Sequence, residues 1–181
     1  QTDRLSRLVD QGLEVSRLRS RSRPLELSPV SLRDALEDLL AEMQTRWVLE
    51  GFDFVIQGHL DHQVVASEMG LQRVVDNLVT NAIHASTSPA KVGLDIETQG
   101  NQLIMTIWDE GSGIPKHEMR KIFKRFYQIG SEIRAGRRGT GLGLAIVKGL
   151  VEEMHGKIRV ESKQDQGSRF IVSLPLIKEV S

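Results

Sequence analysis

The order in which apolar patterns follow one another constrains the fold of this chain more than any other feature. Segments with hydrophobic residues at helical spacing alternate with short runs in which every second residue is apolar, and most of these runs come in adjacent pairs. Helices are predicted at 32–49, 71–83 and 142–154, and strands at 25–28, 52–56, 63–66, 91–98, 102–108, 158–162 and 169–174. Because neighbouring strands joined by short turns pair antiparallel, this order predicts an α+β fold, a two-layer sandwich of one mostly antiparallel sheet with helices on one face.

Local signals mark the ends of several of these elements. Ser31, followed by Asp34, resembles a capping box, and Ser67 is placed to cap the second helix. A polar, glycine-punctuated segment runs from 111 to 138, and a short helical piece is predicted within it at 116–126.

The composition excludes several classes of protein. Lys and Arg together number 24, as do Asp and Glu, so no net basic charge favours nucleic acid as a partner. The absence of Cys excludes a disulfide framework and a thiolate metal site, and it fits a reducing cytoplasm. No apolar run approaches the roughly 20 residues that a membrane span needs. No signal peptide is visible and the chain does not begin with Met, so we expect a fragment of a longer protein. We expect this fragment to be cytoplasmic, whether or not the longer protein is anchored in a membrane.

Residues 1–22 carry a separate apolar stripe, in which Leu5, Val9 and Leu13 recur at i, i+4 and i+8. A lone helix cannot bury such a stripe, so this helix stub is predicted to pack on another helix or on another copy of itself. The alternative is a frayed tail. We expect a boundary after residue 23, with 24–181 forming the main domain.

Three glycines, Gly139, Gly141 and Gly143, alternate directly before the last predicted helix. Glycine adopts positive φ and lets another group approach the backbone closely, and the unpaired N–H groups at the start of a helix suit phosphate oxygens. The Lys-Ser/Thr ending of a Walker A loop is absent, and no βαβ unit surrounds the glycines as in a Rossmann fingerprint. The stretch is therefore either a phosphate-binding turn or a plain flexible loop.

Asp109 follows an apolar strand and precedes a turn with Gly111 and Gly113. A carboxylate at a strand end accepts a hydrogen bond from an exocyclic amine such as that of adenine, and the glycines behind it leave room for a flat ring. The alternative is an ordinary Asp-Gly turn.

Asn77 and Asn81 are four residues apart on the second predicted helix, so they share a face. Two neutral oxygen donors on a half-buried face could ligate Mg²⁺ that phosphates already carry. Alternatively, both side chains bond to neighbouring backbone groups.

The order and spacing of these three motifs resemble the N, G1 and G2 boxes of the GHKL superfamily of ATPases and kinases, which includes gyrase, Hsp90, MutL and histidine kinases. Residues 122–127 resemble the F box of histidine kinases, and 166–170 resemble the final Gly-Ser/Thr box. In five ordered motifs over about 30–176, the chain looks like the catalytic ATP-binding domain of a bacterial sensor histidine kinase. The resemblance implies a Bergerat-type ATP-binding fold.

For individual residues, the resemblance implies a site for ATP and Mg²⁺. Asp109 binds the adenine amino group, Asn81 coordinates Mg²⁺ and Asn77 lies beside the phosphates. His84 stands where the family often has a Lys that faces the terminal phosphates. Further nucleotide contacts are implied for residues of the surrounding loops: Gly111, Gly113, Ile114, Phe126, Tyr127, Gly139, Thr140, Gly141, Leu142, Gly143 and Ser168.

The same resemblance implies that residues 115–138 form a lid over the nucleotide, anchored by Phe123 and Phe126. A long polar loop in a compact domain is a candidate lid on physical grounds as well. Its Arg134, Arg137 and Arg138 either screen phosphate charge or are simply solvated.

The chain lacks an H box, and none of its five histidines stands in such a context, so the phosphate acceptor is expected outside it. Residues 1–22 resemble the end of the second helix of the dimerisation and histidine phosphotransfer bundle. The expected partners are that bundle, built from a missing helix and a second subunit of a homodimer, and the receiver domain of a response regulator.

Three residues bear on whether the chain is an active kinase. Hydrolytic members of the superfamily have Glu where Asn77 stands, and because Asn cannot take a proton, transfer is favoured over hydrolysis. Gln128 replaces an Arg often found after the F-box Tyr, and His84 replaces the common Lys. A nucleotide-binding pseudokinase that acts as an interaction module, and a GHKL hydrolase, therefore stay as alternatives.

Overall fold

The computed structural model describes residues 24–129 and 140–177. Within these ranges the chain forms three helices, α1 (Leu32–Leu49), α2 (Glu68–Ala85) and α3 (Gly143–Glu153). The same ranges contain seven strands: β1 (Ser28–Ser31), β2 (Phe52–Gln57), β3 (Gln63–Ala66), β4 (Ala90–Gln99), β5 (Gln102–Asp109), β6 (Lys157–Ser162) and β7 (Ser168–Pro175). None of the described helices combines the length and the apolar character that a membrane crossing requires.

Five strands form the main sheet, in the order β2-β4-β5-β7-β6. β2 runs parallel to β4, since β3 and α2 lie between them in the chain and provide a crossover, and the other neighbours are antiparallel. β1 and β3 form a separate antiparallel pair, which a bridge between Val64 and Leu176 joins to the segment after β7. The α+β sandwich expected from the sequence is confirmed, although its strands form two sheets and include one parallel pair.

The helices cover one face of the main sheet because each carries an apolar stripe. The stripe of α2 consists of seven buried residues at helical spacing: Leu71, Val74, Val75, Leu78, Val79, Ala82 and Ile83. The strands add alternate side chains to the same layer, such as the fully buried Leu103, Met105 and Ile107 of β5. α1 packs on β2 and α2, α2 also packs on α3 and β5, and α3 packs on β6.

Both predicted helix caps are confirmed. Ser31 Oγ accepts the N–H of Asp34 at 3.3 Å, and Ser67 Oγ accepts the N–H of Gly70 at 3.2 Å. Each hydroxyl satisfies one of the donors that a helix start leaves unpaired, which fixes where α1 and α2 begin.

Two predicted elements are wrong. The strand expected at 25–28 lies instead at Ser28–Ser31, because pairing with β3 begins only at Ser28, while Leu25 and Leu27 pack against the core. The helical piece expected at 116–126 is a series of turns. Its backbone bonds mostly join residues three apart, and Phe126 has a φ of +61°, so no α-helix propagates through it.

Residues 1–23, 130–139 and 178–181 lie outside the described residues. The predicted helix at 1–22 and the boundary after residue 23 fall there and stay predictions. The same holds for the roles expected of Gly139, Arg134, Arg137 and Arg138.

Candidate functional site

Asp109, the last residue of β5, is only 6% exposed. Its side chain continues the alternation of the strand and lies on the helix side of the sheet. One carboxylate oxygen accepts the N–H of Gly111 at 2.8 Å, and the carboxylate also accepts the N–H of Ser168. Burial raises the pKa of Asp109 to about 6, although the two backbone donors act in the opposite direction. A buried carboxylate of this kind is suited to accept a further hydrogen bond from a neutral amine.

The turn that follows β5 is held between the end of α2 and the β6–β7 hairpin. The N–H of Ser112 donates to the carbonyl of Ala85 at 3.0 Å, and a β-carbon on Gly111 would lie 2.3 Å from the same oxygen. Gly113 has a φ of +62°, and a β-carbon there would lie 2.0 Å from the carbonyl oxygen of Lys163. Only glycine fits at either position, so the turn keeps close backbone contact on both sides.

Ser162, the last residue of β6, connects this turn to the hairpin. Its hydroxyl accepts the N–H of the buried Ile114 at 2.7 Å, donates to the carbonyl of Gly167 at 2.8 Å and lies 3.0 Å from Ser168 Oγ. The sequence-based candidates did not include Ser162. Its only signal in the sequence was its place at the end of a strand, before a polar turn.

Asn77 and Asn81 are half-buried on the side of α2 that meets the start of α3. Asn77 Nδ2 donates to the carbonyl of Arg73 at 2.8 Å. The alternative expectation, a bond to neighbouring backbone, therefore holds for the amide nitrogen of Asn77. Its Oδ1 faces the other helix: a β-carbon on Gly143 would lie 2.9 Å from this oxygen and 4.0 Å from Asn81 Nδ2. The structure therefore brings the asparagine pair and the glycine-rich turn together.

The described part of the glycine-rich turn leads into α3 without a side-chain cap. Gly141 has a φ of +72° and its carbonyl accepts the N–H of Phe126 at 2.8 Å. Leu142 stands at the N-cap position, but its side chain is buried in the core, so only its backbone can meet a ligand. Thr140 is half-buried beside them. Because no N-cap side chain occupies the first-turn N–H groups of α3, they are suited to an anion.

In the turns before the glycine-rich segment, one phenylalanine packs on the rest of the domain and one tyrosine bonds within the turns. The ring of Phe123 packs edge-on against Phe170, with 6.5 Å between centroids, as expected for an anchor. The side chain of Phe126 is 70% exposed, so its expected anchoring role is not observed. The hydroxyl of Tyr127 donates to the carboxylate of Glu118, which closes this series of turns on itself.

His84 is exposed in the last turn of α2, three residues after Asn81, and therefore on the same side of the helix. Gln128 is also exposed. The remaining histidines are surface positions, as expected, except that His62 is half-buried: His59, His117 and His155 are exposed.

An open cavity of about 560 Å³ at this end of the sheet is lined by Asp109, Ser162 and Ser168. Its lining also includes Trp108, Asp95 and Arg169, which lie on the face away from the helices. Trp108 lies across Gly93, where a β-carbon would come 2.2 Å from the indole ring. Its Nε1 donates to Asp95 at 3.0 Å, and Arg169 lies 3.5 Å from the same carboxylate. These contacts fix the indole directly beside the residue that ends β5.

The groups around α2 match the parts of a metal–nucleotide complex. A buried carboxylate lies near the C-terminal end of α2, two carboxamides lie on the helix itself, and the uncapped start of α3 faces the carboxamides. Amide oxygens are hard donors that Mg²⁺ accepts, but two of them fall short of an octahedral set. The donors present therefore fit a Mg²⁺ ion that arrives with phosphate oxygens.

Residues 66–178 match the family described as histidine kinase-, DNA gyrase B-, and HSP90-like ATPases. The chain is 31% identical over 176 residues to the circadian input-output histidine kinase CikA of Synechococcus elongatus, and the match covers 96% of this chain and 23% of that protein. It is 30% identical over 178 residues to the alginate biosynthesis sensor protein KinB of Pseudomonas aeruginosa, covering 96% of this chain and 29% of KinB. The chain thus spans about a quarter of the length of these curated relatives.

Solved structures of histidine kinases have the same fold. The catalytic domain of ThkA superposes with a TM-score of 0.72 at 27% identity, covering 83% of this chain and 96% of that chain. Full-length ShkA in complex with AMPPNP superposes with a TM-score of 0.83 at 26% identity, and the match covers 99% of this chain and 37% of that chain. ThkA in complex with the response regulator protein TrrA superposes with a TM-score of 0.77 at 27% identity, and the match covers 97% of this chain and 49% of that chain.

Proposed function

Since this chain belongs to the family of histidine kinase-, DNA gyrase B- and HSP90-like ATPases, we propose that it binds Mg-ATP and transfers the γ-phosphate to a histidine of a dimerisation helix bundle. None of the five histidines lies in an H-box context, so the acceptor belongs to another part of the protein. One observation carries the proposal: the turn after Asp109 contacts the end of α2, and Asn77 on that helix faces Gly143 at the start of α3.

Recognition of the base is assigned to Asp109. Its carboxylate is buried and accepts two backbone N–H groups, and it has further acceptor capacity for the exocyclic amine of adenine. Gly111 and Gly113 keep the following turn free of β-carbons, and the buried Ile114 gives the ring an apolar neighbour. At neutral or higher pH the carboxylate is charged, which strengthens the hydrogen bond to the amine.

The phosphates and Mg²⁺ are assigned to the face of α2 that carries Asn77 and Asn81. Asn81 supplies an amide oxygen to Mg²⁺, and Asn77 lies beside the phosphates with His84 one turn beyond Asn81. The backbone of Gly141 and Gly143 approaches the phosphate oxygens at the uncapped start of α3, together with Gly139, Thr140 and Leu142.

The lid and the final box complete the proposed site. Ser168 contributes through its N–H, which already donates to Asp109. The backbone of Phe126 is bonded to Gly141, so it holds the lid near the phosphates, while Tyr127 acts through its ring because its hydroxyl is engaged by Glu118.

Transfer, not hydrolysis, is the proposed outcome because Asn77 cannot act as a general base for water. Phosphoryl transfer depends mainly on alignment and on neutralising charge around the transferred group. When bound, Mg²⁺ supplies that neutralisation, while the residues of α2 and α3 hold the nucleotide in line with an external nucleophile.

The proposed setting is a cytoplasmic two-component sensor kinase. Its partners are the phosphotransfer bundle of a homodimer, to which residues 1–23 belong, and a response regulator receiver domain. The solved complex of the related ThkA with the response regulator TrrA supports the second partner.

Binding is tested by calorimetric titration of the chain with ATP and MgCl₂. We expect saturable binding that Asp109→Asn weakens at least about tenfold, since it replaces a charged acceptor by a neutral amide. Asp53→Asn, which changes an exposed carboxylate on β2, is the matched control and should bind as the unmodified chain does. No binding by the unmodified chain, or equal binding by Asp109→Asn, would refute the proposal.

Transfer is tested by supplying the matching histidine bundle and ATP labelled at the γ-phosphate. Label on a bundle histidine supports the kinase, whereas binding without label supports the pseudokinase alternative that Gln128 and His84 favour. The double variant with Gln128→Arg and His84→Lys restores the residues common in the family. If this variant labels the bundle strongly while the unmodified chain does not, the result would also support the pseudokinase. Phosphate release well above background, without label on the bundle, would support a hydrolase instead.

A further inference from the structure

The hydroxyl of Ser162 has its full set of hydrogen bonds. It donates its one proton to the carbonyl of Gly167, so both remaining contacts are accepted by its oxygen. These come from the N–H of Ile114 and from the hydroxyl of Ser168, whose proton therefore points toward Ser162. One side chain thus joins the turn after β5 to the hairpin turn between β6 and β7.

The two turns that Ser162 joins have little freedom to move apart. The N–H of Asp165 donates to the carbonyl of Ser112 at 2.8 Å, and Gly113 has no room for a β-carbon against Lys163. These are backbone contacts that set the distance between the turns. Ser162 is the side chain that bonds to both of them from inside.

The hairpin side of this connection leads directly to Asp109. A β-carbon on Gly167 would lie 1.9 Å from the carbonyl oxygen of Asp109, so the two backbones touch. The N–H of Ser168 donates to the Asp109 carboxylate. Ser162 therefore holds two residues, Gly167 and Ser168, whose backbones contact Asp109.

We propose that Ser162 is a positioning residue for base recognition, which holds Gly167, Ser168 and Ile114 so that the Asp109 carboxylate keeps one orientation. The inference rests on the proposed function, because it assigns to Ser162 the specificity of the same site for a base with an exocyclic amine. Without the hydroxyl, the N–H of Ile114 loses its partner and the carbonyl of Gly167 keeps only the long 3.4 Å bond from the N–H of Lys163, so the orientation of Asp109 is no longer fixed. Removal of the hydroxyl should weaken the hydrogen bond to the amine and leave the phosphate contacts, which lie along α2 and α3, unchanged.

The test compares Ser162→Ala with Ser162→Thr, which retains the hydroxyl, and with Ser173→Ala on β7. Ser173 makes only a long 3.5 Å contact with the carbonyl of Lys157 and serves as the matched control. Dissociation constants are measured for ATP and for purine riboside triphosphate, which lacks the exocyclic amine, both with MgCl₂. We expect Ser162→Ala to weaken ATP about tenfold and the analogue less than about twofold, so that discrimination falls about fivefold or more. Ser162→Thr and Ser173→Ala should preserve the discrimination.

Equal weakening of both nucleotides by Ser162→Ala, or unchanged discrimination, would overturn the positioning role while leaving ATP binding intact. If the unmodified chain binds neither nucleotide, it is the proposed function that fails. In an Asp109→Asn background Ser162→Ala should change the discrimination no further, and an additional loss there would also count against the inference. Should Ser162→Ala not fold, Ser162→Cys keeps the size with a weaker donor and carries the same comparison.

Discussion

Asp109 is expected to destabilise the nucleotide-free protein at neutral pH. Burial raises its pKa from an ordinary 3.8 to about 6, so the folded chain holds this proton more tightly than the unfolded chain does. Unfolding therefore releases the proton between about pH 4 and 6, and the stability attributable to this group falls as pH rises through that window. Above pH 6 the full cost applies, about 3 kcal/mol for a shift of about two pKa units.

The magnitude can be isolated by comparing the unmodified chain with Asp109→Asn at two pH values. Between pH 5.0 and pH 7.5 the linkage relation gives a loss of about 1.4 kcal/mol from Asp109. Asp109→Asn has no titrating group at position 109. Between pH 5.0 and pH 7.5 its free energy of unfolding, relative to that of the unmodified chain, should therefore rise by about 1.4 kcal/mol. Every other titrating group, and any fixed cost of the amide, cancels in the difference.

Urea unfolding without nucleotide, followed by tryptophan fluorescence, measures both free energies, and equal slopes with urea must be checked first. Asp53→Asn is the control, and its difference from the unmodified chain should stay constant within about 0.5 kcal/mol. A difference for Asp109→Asn that is constant with pH, or that changes in the opposite direction, would show that the carboxylate is not desolvated in the free protein.

Three further substitutions test the packing described above. Phe123→Ala should lower the free energy of unfolding by about 2–3 kcal/mol, because the ring packs against Phe170, whereas Phe126→Ala should change it by less than about 0.5 kcal/mol. Equal effects of the two in urea unfolding would contradict the different placement of the rings. Gly93→Ala should cost about 1–3 kcal/mol and shift the emission of Trp108, since the new methyl group meets the indole. An unchanged spectrum and an unchanged unfolding midpoint would argue against that contact.

The features that the sequence predicted correctly depend on neighbours in the chain. Ser31 and Ser67 cap helices because the donors they satisfy are three residues away. The β4–β5 hairpin follows from Gly100 and Asn101 between two alternating runs, and its register runs from Gln99–Gln102 outward. The family resemblance, confirmed by the match over 66–178, rests on the same kind of local motif.

Features set by distant contacts were missed. The alternation in β2 gives no indication that this strand runs parallel to β4, because that direction depends on the path of the intervening α2. Similarly, nothing in the sequence distinguishes Ser162 from other serines at strand ends, because its partner Ile114 is 48 residues away in the chain. At 116–126 the apolar spacing suits a helix, yet the side chain of Phe123 is held by Phe170, and turns with bonds three residues apart satisfy the backbone.

The contact between Ser112 and Ala85 makes α2 the element that sets the length of the binding region. Asn77 lies eight positions before Ala85, which corresponds to about 12 Å along a straight helix. One inserted residue between them would rotate Asn77 by about 100° away from Gly143 while leaving the base end in place. We therefore expect natural variation in length to accumulate in the hairpins, and this stretch of helix to tolerate substitution but neither insertion nor deletion.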